Sequence, residues 1–257
     1  MITITMRFYE ELNYFLPKEK RKTDFNILFA QPHTVKDLIE TLGVPRTEID
    51  LILVNGTPVN FSYLLTNDAR VTVYPLFEAL NIKDIKKHQI PPPLRQIKQK
   101  KFILEQNLMD LTKLLRICGL DSLCDKKLSA DDIVDRALKE ERIILSKSVN
   151  LLKRKKITHA IFLRGNGPIT LLKEVFVRMD LYGDPSIKPF TRCLNCNESL
   201  LNMNLLTMKE NELIHVIPPK IKDHYHSYTF CKICQKLYWP GSHVEHMMRV
   251  LQKNQII

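Results

Sequence analysis

Four cysteines are spaced for metal chemistry, with Cys193-Leu-Asn-Cys196 answered by Cys231-Lys-Ile-Cys234. Each Cys-x-x-Cys pair presents two thiolates across a tight knuckle, and four thiolates close a tetrahedral zinc shell. The stretch from Asn197 to Phe230 exceeds the usual spacing between such pairs, so it must make an excursion and return the chain to the metal. A redox dithiol is the rival chemistry. Two such motifs in one short span, with no catalytic helix signature beside them, favour a structural zinc ion over it. The two other cysteines, Cys118 and Cys124, sit in apolar surroundings and read as small buried hydrophobes in a reducing compartment.

Phosphate chemistry is the second possibility, because the 257-residue chain carries a net charge of +11. The charge is clustered. Lys18, Lys20, Arg21 and Lys22 form one group, and Lys83, Lys86, Lys87, Arg95, Lys98, Lys100 and Lys101 a second. Lys153, Arg154, Lys155 and Lys156 form a third. Such clusters attract a polyanion through its phosphates, with RNA or DNA the natural candidate, although lysine runs also serve only to solubilise an exposed face. Close to the cysteines, Trp239 either stacks on an unpaired base or packs against the metal knuckle, and the sequence leaves both open. With four cysteines filling the shell, His243 suits a contact behind the ligands or to a phosphate. Arg192, next to Cys193, reads as a phosphate contact or a salt bridge.

The elements that must position these residues are legible in the hydrophobic pattern. Apolar residues make up 44% and charged ones 26%, which suits a water-soluble chain able to bury several cores. No run of 18 uncharged apolar residues is present, so no membrane span is expected. The opening MITITMRFYEELNYF carries charge where a signal peptide needs an apolar core, which places the protein in the cytoplasm.

Over residues 1–78, Ile2, Ile4 and Met6 alternate with polar neighbours as in a half-buried strand, and Phe25–Phe29 returns as its partner. Thr34 with Asp37 predicts a capped helix ending at Gly43, Asn55-Gly56 a two-residue hairpin, and Arg70–Tyr74 a closing strand. Strand, strand, helix, strand, strand resembles the ubiquitin-like β-grasp. The last strand runs into Pro75-Leu-Phe-Glu rather than the Gly-Gly of sulfur carriers and conjugated modifiers, so a docking role is expected, with a protein partner on the sheet.

Residues 79–100, with Pro91-Pro92-Pro93, read as a stiff basic linker whose Lys86, Lys87, Arg95 and Lys98 are candidates to touch RNA. From Lys101 strands alternate with helices, which predicts an α/β domain with a parallel sheet over 101–184. Its strands are Phe102–Leu104, Asp121–Cys124, Arg142–Leu145 and Ile157–Leu163. Its helices end at Gly119, start at Ser129 and run from Pro168 to Met179. Residues 185–257 then form the zinc ribbon.

Ligands of parallel sheets gather at the carboxyl edge. There Glu105 follows the first strand, Ser146-Lys147-Ser148 the third, and Arg164-Gly-Asn-Gly167 the fourth, with Asp131 and Asp132 opening the second helix. A nuclease needs three or four carboxylates around one or two magnesium or manganese ions. Glu105, Asp131 and Asp132 are the catalytic candidates, though an acid in a helix's first turn more often only counters the dipole. Lys147 and Arg164 add basic candidates at the same edge.

The stretches KFILEQNLMDLTKLLRICGLD, SADDIVDRALKEERIILSKS, PFTRCLNCNESL and FCKICQKLYWPGSH resemble the Mut-seven C-terminal RNase family. The resemblance implies a PIN-like nuclease fold closed by a zinc ribbon and preceded by a ubiquitin-like domain. It also implies metal-binding aspartates where this chain carries Glu105 and Ser148, and a matching pair in Asp131 and Asp132. Serine is a poor ligand for a hard divalent ion. The expected function is therefore RNA binding on a degenerate ribonuclease scaffold, acting on ribosome or tRNA. An active metal-dependent ribonuclease and a protein-interaction adaptor are the alternatives.

Overall fold

A computed structural model of the chain describes residues 1–75, 97, 99–204, 215 and 217–257. The triple-proline connector and the basic candidates Lys86, Lys87, Arg95 and Lys98 lie outside the described residues. The chain forms two compact units, Met1–Gln99 with Ser129–Leu163 and Lys100–Leu128 with Arg164–Ile257. The 101–184 segment contributes to both.

Strand β1 (Ile2–Phe8) buries Ile4, Met6 and Phe8 and leaves Thr3, Thr5 and Arg7 half-exposed, as its alternation requires. It pairs antiparallel with β2 (Phe25–Phe29). Beyond them, β3 (Ile49–Val54) turns into β4 (Thr57–Pro58) through Asn55 and Gly56, both at positive φ (+50° and +80°), the geometry of a type I′ hairpin. Strand β5 (Ala69–Pro75) lies parallel to β1 and antiparallel to β3, giving the order β2-β1-β5-β3-β4. Helix α1 (Val35–Thr41) opens on a complete capping box between Thr34 and Asp37, and its Val35, Leu38 and Ile39 join the sheet's buried face in one core. This is a ubiquitin-like β-grasp.

The following elements are β6 (Lys101–Leu104), α2 (Met109–Ile117), β7 (Asp121–Leu123), α3 (Ala130–Lys139), β8 (Ile143–Ser146), α4 (Val149–Leu152), β9 (Ala160–Phe162) and α5 (Pro168–Met179). Strands β8 and β9 pair in parallel, and all four residues of β8 are buried, the apolar run Ile143–Leu145 typical of a parallel sheet followed by Ser146. They belong to the same unit as the β-grasp, and specific contacts hold them there. Glu48, 3% exposed, accepts the Phe162 N–H on Oε1 at 2.8 Å, while the Tyr14 and Phe15 rings pack on Phe162 at 5.3 and 5.1 Å.

In the other unit β6 and β7 pair in parallel across the α2 crossover. Helix α2 buries Leu111, Leu115 and Ile117 and packs on α5, which buries Leu171, Leu172, Val175 and Phe176. Gly119 ends α2 at φ +86°, and a Cβ there would lie 2.2 Å from the Lys188 carbonyl oxygen, so this turn demands glycine. The cysteine-bearing part adds an antiparallel sheet of β10 (Leu201–Asn204), β11 (Ser227–Cys231) and β12 (Lys236–Tyr238), and a helix over Ser242–Lys253 that the sequence reading did not anticipate.

One ion pair in this unit sets a pH dependence. Lys100 and Asp184 meet at 2.5 Å with only 12% and 17% of their side chains exposed. The Lys100 hydrogen bond and those from Ser186 lower the Asp184 pKa from 3.8 to about 2. A carboxyl depressed in the folded state stabilises it above the unfolded value, and that contribution disappears as pH falls from 3.8 towards about 2. Urea titrations across that window should show Asp184→Asn less acid-sensitive than the parent, and equal slopes would remove the pair from the account.

Candidate functional site

The thiols of Cys193, Cys196, Cys231 and Cys234 all lie within 4.8 Å of one another. The first pair sits on a knuckle closed by Asn197 at φ +72°, whose N–H bonds the Cys193 carbonyl at 2.9 Å. The second pair occupies the tip of the β11–β12 hairpin, where Cys231 ends β11 and its sulfur accepts the Cys234 N–H at 3.4 Å. Asn195 Nδ2 donates to Cys234 Sγ at 3.2 Å, and the Tyr238 hydroxyl lies 3.2 Å from Cys193 Sγ.

Four sulfurs around zinc at about 2.3 Å stand roughly 3.8 Å apart, so this set fits the ion with small adjustments. It leaves no open coordination position for a water or substrate, which suits a structural metal. Burial pushes the Cys193 thiol up, but the Tyr238 hydroxyl and the N–H groups of Cys196 and Asn195 outweigh it and bring its pKa down to about 6. Burial and the neighbouring thiols push Cys196 up to about 12. A bare set of four thiols thus holds its protons unevenly, and a dication allows all four to ionise together. Cys118 and Cys124 are buried as expected, and burial raises Cys118 to about 12, far from a reactive thiolate.

Behind the knuckle stands Arg116 of α2, 3% exposed. Its Nε donates to the Ser122 carbonyl, and its Nη1 to those of Leu194 and Asn195, each at 2.9 Å. Burial lowers its pKa, while the fields of nearby thiols, Cys193 and Cys196 among them, act the other way. A zinc ion with four thiolates is a net dianion, and Arg116 is a buried cation beside it. Asn197 completes the joint: its Oδ1 accepts the Ser122 N–H at 2.9 Å and its Nδ2 donates to Asp121 at 2.8 Å. Both main-chain groups of Ser122 in β7 are thereby engaged by side chains.

Arg192 serves the same joint, through Nε to the Gly119 carbonyl at 3.1 Å, Nη1 to that of Asn197 at 2.9 Å, and Nη2 3.7 Å from Asp121. Its donors face inward, in line with the salt-bridge alternative. None of Arg116, Asn197 or Tyr238 was singled out in the sequence. For Arg116 a signal existed: a lone cation inside the apolar run Leu114-Leu-Arg-Ile-Cys118.

The acidic candidates have local partners. Asp132 Oδ2 accepts from the Ser129 N–H at 2.8 Å and its hydroxyl at 2.6 Å, closing a capping box at the start of α3, and those bonds hold its carboxyl below the usual range. Asp131, exposed, pairs with Arg154. Ser148 caps α4 by accepting the Leu151 N–H at 3.2 Å. Glu105 is half-buried beyond β6, and its carbonyl takes the Leu108 N–H at 3.0 Å and the Cys124 thiol at 3.4 Å. A further acid reaches a loop that holds none in sequence: Glu174 of α5 accepts the N–H groups of Arg164 and Gly165 at 3.0 and 3.1 Å. The Arg164 guanidinium lies 3.9 Å from the same carboxylate. Lys147 and Trp239 are half-buried, and His243 is exposed in the first turn of the helix over Ser242–Lys253.

A ubiquitin-like β-grasp, parallel strands alternating with helices and a four-cysteine cluster together define a mixed α/β protein with a candidate metal centre. Residues 100–251 match the family model of the Mut7-C RNAse domain, and residues 1–81 match that of Mut7-C ubiquitin. The chain belongs to the Mut7-C RNAse family, the one its sequence motifs resemble. No curated protein and no solved structure matches it. Among the described residues no helix is long and apolar enough to cross a membrane.

Proposed function

We propose that this chain is a cytoplasmic RNA-binding protein on a ribonuclease-like scaffold, gripping structured RNA of the ribosome or tRNA and cleaving it weakly or not at all. Zinc is the structural ion of the four cysteines. The observation that carries the reading is the local engagement of two side chains: Asp132 is bonded to Ser129, and Ser148, where the family resemblance implies an aspartate, caps α4. The net charge of +11 supplies the attraction to phosphate. The β-grasp contributes a polar sheet face for a protein partner, with Arg7 and Arg70 held by Asp24 and Tyr9 stacked on Tyr74 at 4.4 Å.

Affinity for a structured RNA should fall roughly a thousand-fold between about 50 and 200 mM salt if six or more phosphates are contacted. Affinity indifferent to salt would contradict it. The family match favours a second reading, an active ribonuclease using Glu105, Asp131 and Asp132 with magnesium or manganese. Incubation of labelled RNA with and without manganese separates the two. Identical products support the first, and manganese-dependent cuts lost in Asp132→Asn establish the second.

A further inference from the structure

Beside the zinc knuckle, wholly within the ribbon's unit, lies a hollow of about 230 Å³. Its walls include Phe190, Tyr228, Tyr238, Trp239, Val244 and Met247, with Ser227 and Pro240 also on its lining and both solvent-exposed, so it communicates with water. Four of its twelve lining residues are aromatic. An apolar cavity of roughly 150 Å³ is enough to hold benzene, so this one has room for a larger flat ring.

The walls are fixed before any ligand arrives. The Tyr238 hydroxyl rests on Cys193 Sγ at 3.2 Å. Trp239 packs on the ribbon core of Met203, Ile217, Tyr228 and Phe230. The chain turns back so closely at Gly241 that a Cβ there would lie 3.0 Å from the indole Nε1. Pre-set aromatic walls lower the ordering cost of binding a flat ligand.

We propose that this hollow takes one unpaired base of a bound RNA, stacked among Trp239 and the tyrosines. The inference rests on the RNA-binding reading and adds where, and through what chemistry, a base is held. Charge complementarity selects the occupant: a chain of net charge +11 draws a polyanion, and a single-stranded polyanion of this kind carries flat aromatic rings. Stacking on aromatic side chains is the sequence-tolerant way to hold unpaired bases. Packing and stacking, the two uses the sequence left open for Trp239, then become one: the ring that covers the ribbon core also walls the hollow.

Trp239 is the only tryptophan, so its emission reports on the hollow directly. The zinc-loaded full chain is titrated with a short single-stranded RNA and with an abasic strand of the same length, following Trp239 emission and the anisotropy of a label on the strand. The base-bearing strand should quench the emission and bind about ten-fold more tightly than the abasic one. Val244→Phe, which fills the hollow and keeps the reporter, should erase that difference while zinc stays stoichiometric. Equal binding of both strands to the parent chain with unchanged emission overturns the base pocket and leaves salt-sensitive RNA binding standing. Failure of both strands to bind at low salt overturns the base pocket, and failure of a structured RNA to bind there as well overturns the RNA-binding reading. The abasic comparison needs no variant, so a Val244→Phe chain that loses zinc does not protect the proposal.

Discussion

Cys231→Ser is expected to strip the chain of zinc and melt the ribbon while the β-grasp remains folded. Cys231 is fully buried at the end of β11, and its sulfur lies 3.4 Å from Cys196 Sγ and accepts the Cys234 N–H. Among the described residues the sheet it terminates has three short strands, and its buried cluster is Met203, Ile217, Tyr228 and Phe230. A cluster of that size offsets little of the entropy of ordering the chain around it, and a metal ion held by the four thiolates would supply the difference. Structural zinc contributes about 10–16 kcal/mol in isolated zinc-finger peptides. The β-grasp core of Ile4, Met6, Phe8, Leu38 and Val71 shares no residue with that cluster. Zinc content per chain together with limited proteolysis reads the result: no zinc, rapid cutting beyond residue 190, and a protected fragment that retains the β-grasp and the Ser129–Leu163 segment packed in its unit. A serine variant that kept stoichiometric zinc and an uncut ribbon would refute the four-thiolate centre.

The second large effect is expected at Arg116. Arg116→Met keeps the length and apolar stem of the side chain and removes the guanidinium. The carbonyls of Ser122, Leu194 and Asn195 then lose their charged donor, and the dianion that zinc would form with four thiolates would lose a buried cation. Breaking a buried charged network of this kind costs about 3–5 kcal/mol. The loss should appear as a lower urea midpoint at fixed zinc concentration and as zinc affinity weakened roughly ten- to a hundred-fold. Arg116→Lys separates charge from geometry: it restores the cation but cannot reach three carbonyls with one ammonium, so it should fall between the parent and the methionine variant. Parent-like midpoint and zinc affinity in Arg116→Met would show that the knuckle stands without this strut.

Much of the fold was legible because its signals are local. Thr34 with Asp37 and Ser129 with Asp132 form the capping boxes their spacing predicts, Asn55-Gly56 makes its hairpin, and Pro168 opens α5. Each depends on residues at most a few positions apart, where backbone geometry alone brings the partners together. The cysteine pairs are local in the same way, and the metal's demand for four ligands joins one pair to the other. The helix over Ser242–Lys253 opens without a side-chain cap, and its signal lies instead in Val244, Met247, Met248 and Leu251 at i, i+3, i+4 and i+7.

The sequence by itself determined the β-grasp, the alternating α/β strands and the thiolate set, since periodicity, turn chemistry and ligand type are properties of short stretches. Only the tertiary structure decided that Arg116 supports a knuckle 78 residues further along, that Arg192 turns its donors inward, that Glu174 anchors the loop at Arg164 and Gly165, and that Trp239 walls a hollow. Nothing in a short stretch of sequence sets the partner of a buried charge. That partner is whichever carbonyl or carboxylate the packing of distant elements brings within reach, because a buried charge left without one would cost more than the fold can spare.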